Sequence, residues 1–194
     1  LKQIMLLIIV LSIVGCAGIP LSSVYKMMTA NPLEFHPDAI SIAIKRTNVI
    51  AMKTGDVEMT VSIDSDNPAL SVSQQYFLVI DNTPRIPMMT QRLNNNEAFS
   101  ILTLSPEDVI RMKNLQKVMR NHLINGGDND DFGFSVRVLS GCKNSDDIPD
   151  SVLVSLFLKL DSRSDFFPLY QGIDIAQADL APLENLENWT DCIH

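Results

Sequence analysis

The stretch Val152-Leu153-Val154-Ser155-Leu156-Phe157-Leu158-Lys159-Leu160 decides the fold class. Val152, Val154, Leu156, Leu158 and Leu160 recur at every second position, the longest such alternation in the chain. In an extended strand successive side chains point to opposite faces, so this period of two assigns one face to a core. The same period recurs upstream. Ile40, Ile42 and Ile44 alternate with Ser41, Ala43 and Lys45, and Val57, Met59, Val61 and Ile63 alternate with Glu58, Thr60, Ser62 and Asp64. Phe132, Phe134, Val136 and Val138 alternate with Gly133, Ser135 and Arg137. Leu70 to Ile80, Ala98 to Leu104 and Leu169 to Ile175 complete seven strands, the last forming a hairpin across Asp161 to Pro168. Turn residues punctuate the set at Asp64-Ser65-Asp66-Asn67-Pro68 and Asp81-Asn82-Thr83-Pro84, and residues Arg85 to Asn96 read as a loop.

One segment follows a different period. Ser105 is a good helix cap, Pro106 suits the first turn, and Glu107 and Asp108 favour the positive end of the helix dipole. Val109, Met112, Leu115, Met119 and Leu123 then form an apolar stripe with Val118 beside it, while Arg111, Lys113, Lys117 and Arg120 take the other faces. Asn125-Gly126-Gly127 ends the helix. Clean alternation favours antiparallel pairing with one solvated face, and the helices that parallel βαβ units require are missing between most strands. The expected fold is mostly β: an antiparallel β-sandwich of about seven strands with one long inserted α-helix, between strands four and five.

The N-terminus carries a different kind of signal. Lys2 precedes an apolar run from Ile4 to Val14 that ends in Ile13-Val14-Gly15-Cys16. The run is about 11 residues, short of the roughly 20 that a spanning helix needs. This pattern resembles the lipobox of bacterial lipoproteins, a branched apolar residue, a loosely chosen one, Gly or Ala, then Cys. The resemblance covers residues 1–16 and says nothing of residues 20–194. It implies a signal peptide over 1–15, cleavage before Cys16, and acyl chains on Cys16. Two or more chains give stable anchoring, at about 0.8 kcal/mol per buried CH₂. In that family Asp after the Cys retains the protein at the inner membrane; Ala17 implies the outer membrane. The expected organisation is a signal peptide (1–15), a lipid-anchored tether with a short helix (16–36) and a single β-rich domain with an acidic tail (37–194). Within the tether, Ser22 or Ser23 could cap a helix carrying Val24, Met27 and Met28 on one side, stopped by Asn31-Pro32 and packed on the domain.

A chain that is 46% hydrophobic can bury a core and is not disordered. Its formal charge of −8, more negative still without Lys2, argues against nucleic acid and against electrostatic binding to an anionic membrane surface. If the lipid takes Cys16, the cysteines left are Cys142 and Cys192, and an oxidising periplasm favours a disulfide between them over two free thiols. Such a bond closes about 50 residues and stabilises by about 4 kcal/mol in the chain-entropy model.

Candidate chemistry is thin. Gly126-Gly127-Asp128-Asn129-Asp130-Asp131 looks superficially like a calcium loop but lacks the third acid, the sixth-position Gly and the twelfth-position Glu of an EF-hand. A solvated turn is the better reading, as it is for Asp146, Asp147 and Asp150. No CxxC accompanies His36, His122 and His194, so a zinc site is not expected. No Gly-x-Ser-x-Gly elbow and no Gly-rich phosphate loop after a strand appear, which leaves no catalytic residue or cofactor to name. The basic helix face could dock an acidic partner but reads more simply as solvated. Asn188-Trp189-Thr190 fits a glycosylation pattern, which in a bacterial setting is coincidence.

The expectation is therefore a non-enzymatic, lipid-anchored envelope protein at the periplasmic face of the outer membrane, binding or scaffolding an envelope protein partner. The alternative is an envelope hydrolase or a carrier of an apolar ligand, with Met88, Met89, Met112 and Met119 lining its site.

Overall fold

The computed structural model describes residues 20, 23, 25–26, 31–65, 68, 71–81, 93–124, 131–176 and 186–192. The alternating segments form seven long strands: β1 (Ser41–Thr47), β3 (Val57–Asp64), β4 (Val72–Phe77), β6 (Glu97–Thr103), β7 (Asp131–Val138), β9 (Leu153–Lys159) and β10 (Phe167–Asp174). Four two-residue strands are interleaved, β2 (Ile50–Ala51), β5 (Val79–Ile80), β8 (Cys142–Lys143) and β11 (Thr190–Asp191). One long helix, α1 (Pro106–Ile124), joins β6 to β7, where the sequence places it.

The strands make a five-stranded sheet in the order β10-β9-β1-β6-β5 and a three-stranded sheet in the order β4-β3-β7, every pair in them antiparallel. Ile42, Ile44, Leu102, Leu156 and Leu158 of the larger sheet share one buried cluster with Met59, Val61, Tyr76 and Val136 of the smaller. That shared cluster is the interior of a β-sandwich, and the period of two in each strand is what fills it. A third, small sheet of two-residue strands, β11-β8-β2, contains the parallel pair β11–β8.

The segment read as a single strand from Leu70 to Ile80 is divided. β4 belongs to the smaller sheet and β5 to the larger, and the chain crosses between them at Leu78. The Leu78 amide donates to Val57 O at 2.9 Å and its carbonyl accepts from Gly55 N at 2.9 Å. Gly55 has φ +93°, a conformation that favours glycine, and it sets the turn that reaches this corner. Leu78 itself is fully buried at the switch, between the buried Tyr76 of β4 and the half-buried Ile80 of β5.

α1 starts as expected: Ser105 Oγ accepts from the Asp108 amide at 3.1 Å. Its apolar stripe is shorter than the sequence implies. Met112 and Met119 are buried, but Val118 and Leu123 are exposed. The last turn runs past the packed surface, so the helical period continues where there is no core to meet. In the buried row sits Gln116, whose Nε2 donates to Pro32 O at 2.8 Å and Phe35 O at 3.0 Å. Arg120 donates to Leu33 O, and Lys113 lies 3.6 Å from the Asp38 carboxylate. The helix is thus tied to the Pro32–Phe35 segment as well as to the sheets. Of the tether's described residues, Ser23 is buried, Tyr25 is exposed, and the Lys26 ammonium lies 5.0 Å from the Phe167 ring.

Replacing Gln116 by Leu keeps the bulk and strands two carbonyls. The expected cost is about 1–3 kcal/mol, read as a lower denaturant midpoint with an unchanged m-value.

Candidate functional site

Among the described residues, the smaller sheet places β4 at an edge, paired on one side only. Hydrogen-bonded positions alternate along an antiparallel pair. Since Leu78 N donates to Val57 O, Tyr76, Gln74 and Val72 turn their main-chain groups toward β3. Ser73, Gln75 and Phe77 therefore present their N–H and C=O groups at the opposite, unpaired edge. All three residues are exposed, and Phe77 is the large apolar one, at 51%.

Beside this edge lies an open depression of about 420 Å³, lined by Val72, Ser73, Gln74, Gln75, Phe77 and Arg111. Arg111 comes from the second turn of α1. Its guanidinium lies 5.3 Å from the Tyr76 ring centre and ion-pairs with Asp108. With the Gln74 amide oxygen turned toward it, Arg111 donates to that oxygen from Nη2 at 2.9 Å and Nε at 3.2 Å. The amide nitrogen then donates to the Tyr76 hydroxyl at 2.9 Å. Burial pushes the Tyr76 phenol up to about 12, with Arg111 opposing the rise and Asp108 adding to it. The group is a fixed polar floor for the depression. Its arginine is held by three side chains, so it offers shape and hydrogen bonding more than free charge.

The structure joins Cys142 to Cys192 in a disulfide, with Cα atoms 5.0 Å apart and 50 positions between them in sequence. The bond sits on the small sheet, where the Cys192 amide donates to Lys143 O at 2.8 Å. Trp189 closes over Gly141, where any Cβ would fall 2.2 Å from the indole ring. The turn read between Leu183 and Trp189 appears as a short 3-10 helix, Leu186–Asn188. The segment from Leu186 to Cys192 is thus fastened to β8 by the bond.

Other sequence candidates do not gather. Cys16, Met88, Met89, Asp128, Asp130 and His194 lie outside the described residues. Met112 and Met119 are spent inside the sandwich and under the helix, at 1% exposure each. His36 is exposed in its turn, and Asp146, Asp147 and Asp150 lie on the surface. Among the described residues no three His, Cys, Asp or Glu side chains cluster as metal ligands. Three of the four cations read as a basic helix face have intramolecular partners, namely Arg111, Lys113 and Arg120. The β4 edge was not read from sequence. A signal for it exists, an uncharged run from Val72 to Phe77 without Pro or Lys, but sequence does not say which strand has a free side. No family model, curated protein or solved structure matches the chain.

Two outcomes follow from this geometry. Reducing Cys142–Cys192 should lower stability by about 4 kcal/mol, seen as a lower urea midpoint in dithiothreitol that Cys142→Ser/Cys192→Ser reproduces without reductant. Tyr76 should give a phenolate absorbance step near pH 12 that Tyr76→Phe removes. Between the unfolded value near 10 and the folded one near 12, the native state holds the extra proton. Stability should therefore fall as pH rises through that window, and fall less in Tyr76→Phe.

Proposed function

We propose that this chain is a lipid-anchored protein of the bacterial envelope, held through Cys16 at the periplasmic face of the outer membrane, with a binding or scaffolding role. The observation that carries the reading is the cysteine arrangement. Cys142 and Cys192 are joined, which leaves Cys16 for the acyl chains that the lipobox-like Ile13-Val14-Gly15-Cys16 calls for. A disulfide fits an oxidising, exported compartment. An acidic chain has little attraction for an anionic bilayer, so covalent lipid is the means of attachment that its charge leaves open.

The binding role is supported by the β4 edge, unpaired among the described residues, and the depression beside it, which offer a partner main-chain groups, one exposed ring and a fixed arginine. The alternative, an envelope hydrolase or a carrier of an apolar ligand, places its site in the sandwich or under the helix, where Met112 and Met119 are buried.

Cells labelled with a radioactive or clickable fatty acid test the anchor. The parent chain should carry label and sediment with outer membranes, whereas Cys16→Ser should lose the label and appear in the soluble fraction. Retention of label by Cys16→Ser, or a parent chain that never takes it up, would overturn the reading.

A further inference from the structure

We infer that the Cys142–Cys192 bond is a redox latch: a dithiol reductant opens it through Cys192, and the segment from Leu186 to Cys192 then leaves the core while the two main sheets stay folded. The inference goes beyond the proposed anchor and binding role and depends on neither.

The first support is that the two sides of the bond are held unequally. The Cys142 side is fixed without it. β8 pairs with β2, Lys143 against Ile50 and Cys142 against Ala51. Just beyond, the Asn144 amide donates to Val49 O at 2.8 Å, and the Asn144 side chain donates to Asn48 O at 3.0 Å. The Cys192 side has less. β11 is two residues long, Thr190 and Asp191, both exposed. Among the described residues it pairs with β8 alone. A strand that short does not hold the segment against the entropy of ordering it.

The second support is that the two main sheets do not use this segment. No strand of the five-stranded or the three-stranded sheet comes from 186–192 or from β8. The segment nevertheless contributes the buried Leu186 and Trp189 to the main core cluster. Trp189 lies over Gly141, in space that any side chain there would fill. Opening the bond thus frees one ring and uncovers what it caps, and no long strand loses a partner.

The third support is access. Cys142 is 1% exposed, whereas Cys192 is partly exposed. An incoming thiolate therefore reaches the bond from the Cys192 side. Its sulfur bonds to Cys192 Sγ, the Cys142–Cys192 bond breaks, and the electron pair passes to Cys142 Sγ, which takes up a proton. The reductant's second thiolate then attacks its own first sulfur and displaces Cys192 Sγ, which is protonated in turn. The reductant leaves as a disulfide, and two electrons have passed to the protein. Since β8 stays on β2, reoxidation returns the tail to a fixed place.

The test uses the full chain in detergent, without denaturant, and dithiothreitol as the reductant. Trp189 is the only tryptophan, so its emission reports the segment directly. On reduction the emission should move to longer wavelength and become more open to acrylamide quenching, and reoxidation should reverse both. Hydrogen exchange at residues 189–192 should accelerate at least about tenfold, while the amides of β3 and β9 keep their protection. Brief exposure to the monothiol glutathione, followed by an acid quench, should trap the mixed disulfide on Cys192. Cys142→Ser/Cys192→Ser should show the released segment without reductant; if that variant does not fold, the parent chain, folded first and then reduced, still decides. Four results would overturn the inference: a bond that dithiothreitol leaves intact, unchanged Trp189 emission in the reduced chain, exchange that rises in β3 and β9 together with the segment, or glutathione found on Cys142.

Discussion

The pairing of β3 with β4 on one side and β7 on the other is the constraint on which the sandwich rests. Val57, Met59, Val61 and Ile63 must all face inward, and they do so only in one register with both neighbours. A slip of one residue would turn all four to water and bring Glu58 and Asp64 into the core. The outer face shows how firmly this is set. Glu58 is 4% exposed although it points away from the interior, and it is kept there by Arg137 directly across the β3–β7 pair and by the Thr60 hydroxyl at 3.0 Å. A carboxylate covered to that extent requires its partners, since an unpaired buried charge costs several kcal/mol. The ion pair spans two strands, so it holds register on the face where no apolar contact does.

Once β3 is fixed, the rest of the chain is arranged by the need to cross between sheets without leaving the core. Leu78 makes one crossing in a single residue. α1 makes another, from β6 to β7, and lays Met112 on the main core and Met119 against Leu33 and Ile63, while the chain also changes sheets between β1 and β3 and between β7 and β9. The carbonyls exposed by the 3-10 turn at Pro32–Glu34 are met by Gln116 and Arg120, so the helix satisfies backbone that the sheets cannot reach. The disulfide fastens the small sheet, whose two-residue strands are too short to hold the chain's end by hydrogen bonds alone.

The seven long strands and the helix were legible because burial imposes a period, and a period is visible in one sequence. The boundaries of β3, β7 and β9 follow their apolar alternation almost residue for residue. The failures have a common cause. Leu78 lies in an unbroken apolar run, so the sheet switch leaves no trace in the pattern. Gln116 looks like a surface residue until the carbonyls of Pro32 and Phe35 are known. Leu123 keeps the helical period beyond the place where the core ends. Two-residue strands such as β8 and β11 are too short to carry any period. The cysteine pair was legible by its chemistry. The β4 edge was not, because being an edge is a property of neighbours and not of the strand itself.

That distinction bears on what β4 is for. The sandwich dictates the inward residues Val72, Gln74 and Tyr76, which meet Ile63, Val61 and Met59 across the pair. It makes no core demand at Ser73, Gln75 and Phe77, of which Phe77 stands directly across from the covered Glu58. A lysine at any of them would leave the core contacts untouched and would protect the edge from unwanted pairing. The core leaves Ser73 and Gln75 unconstrained, while Phe77 flanks the covered Glu58 on the side opposite Arg137. Register and core are therefore set by one face of β4, and the opposite face is constrained where Phe77 stands across from Glu58.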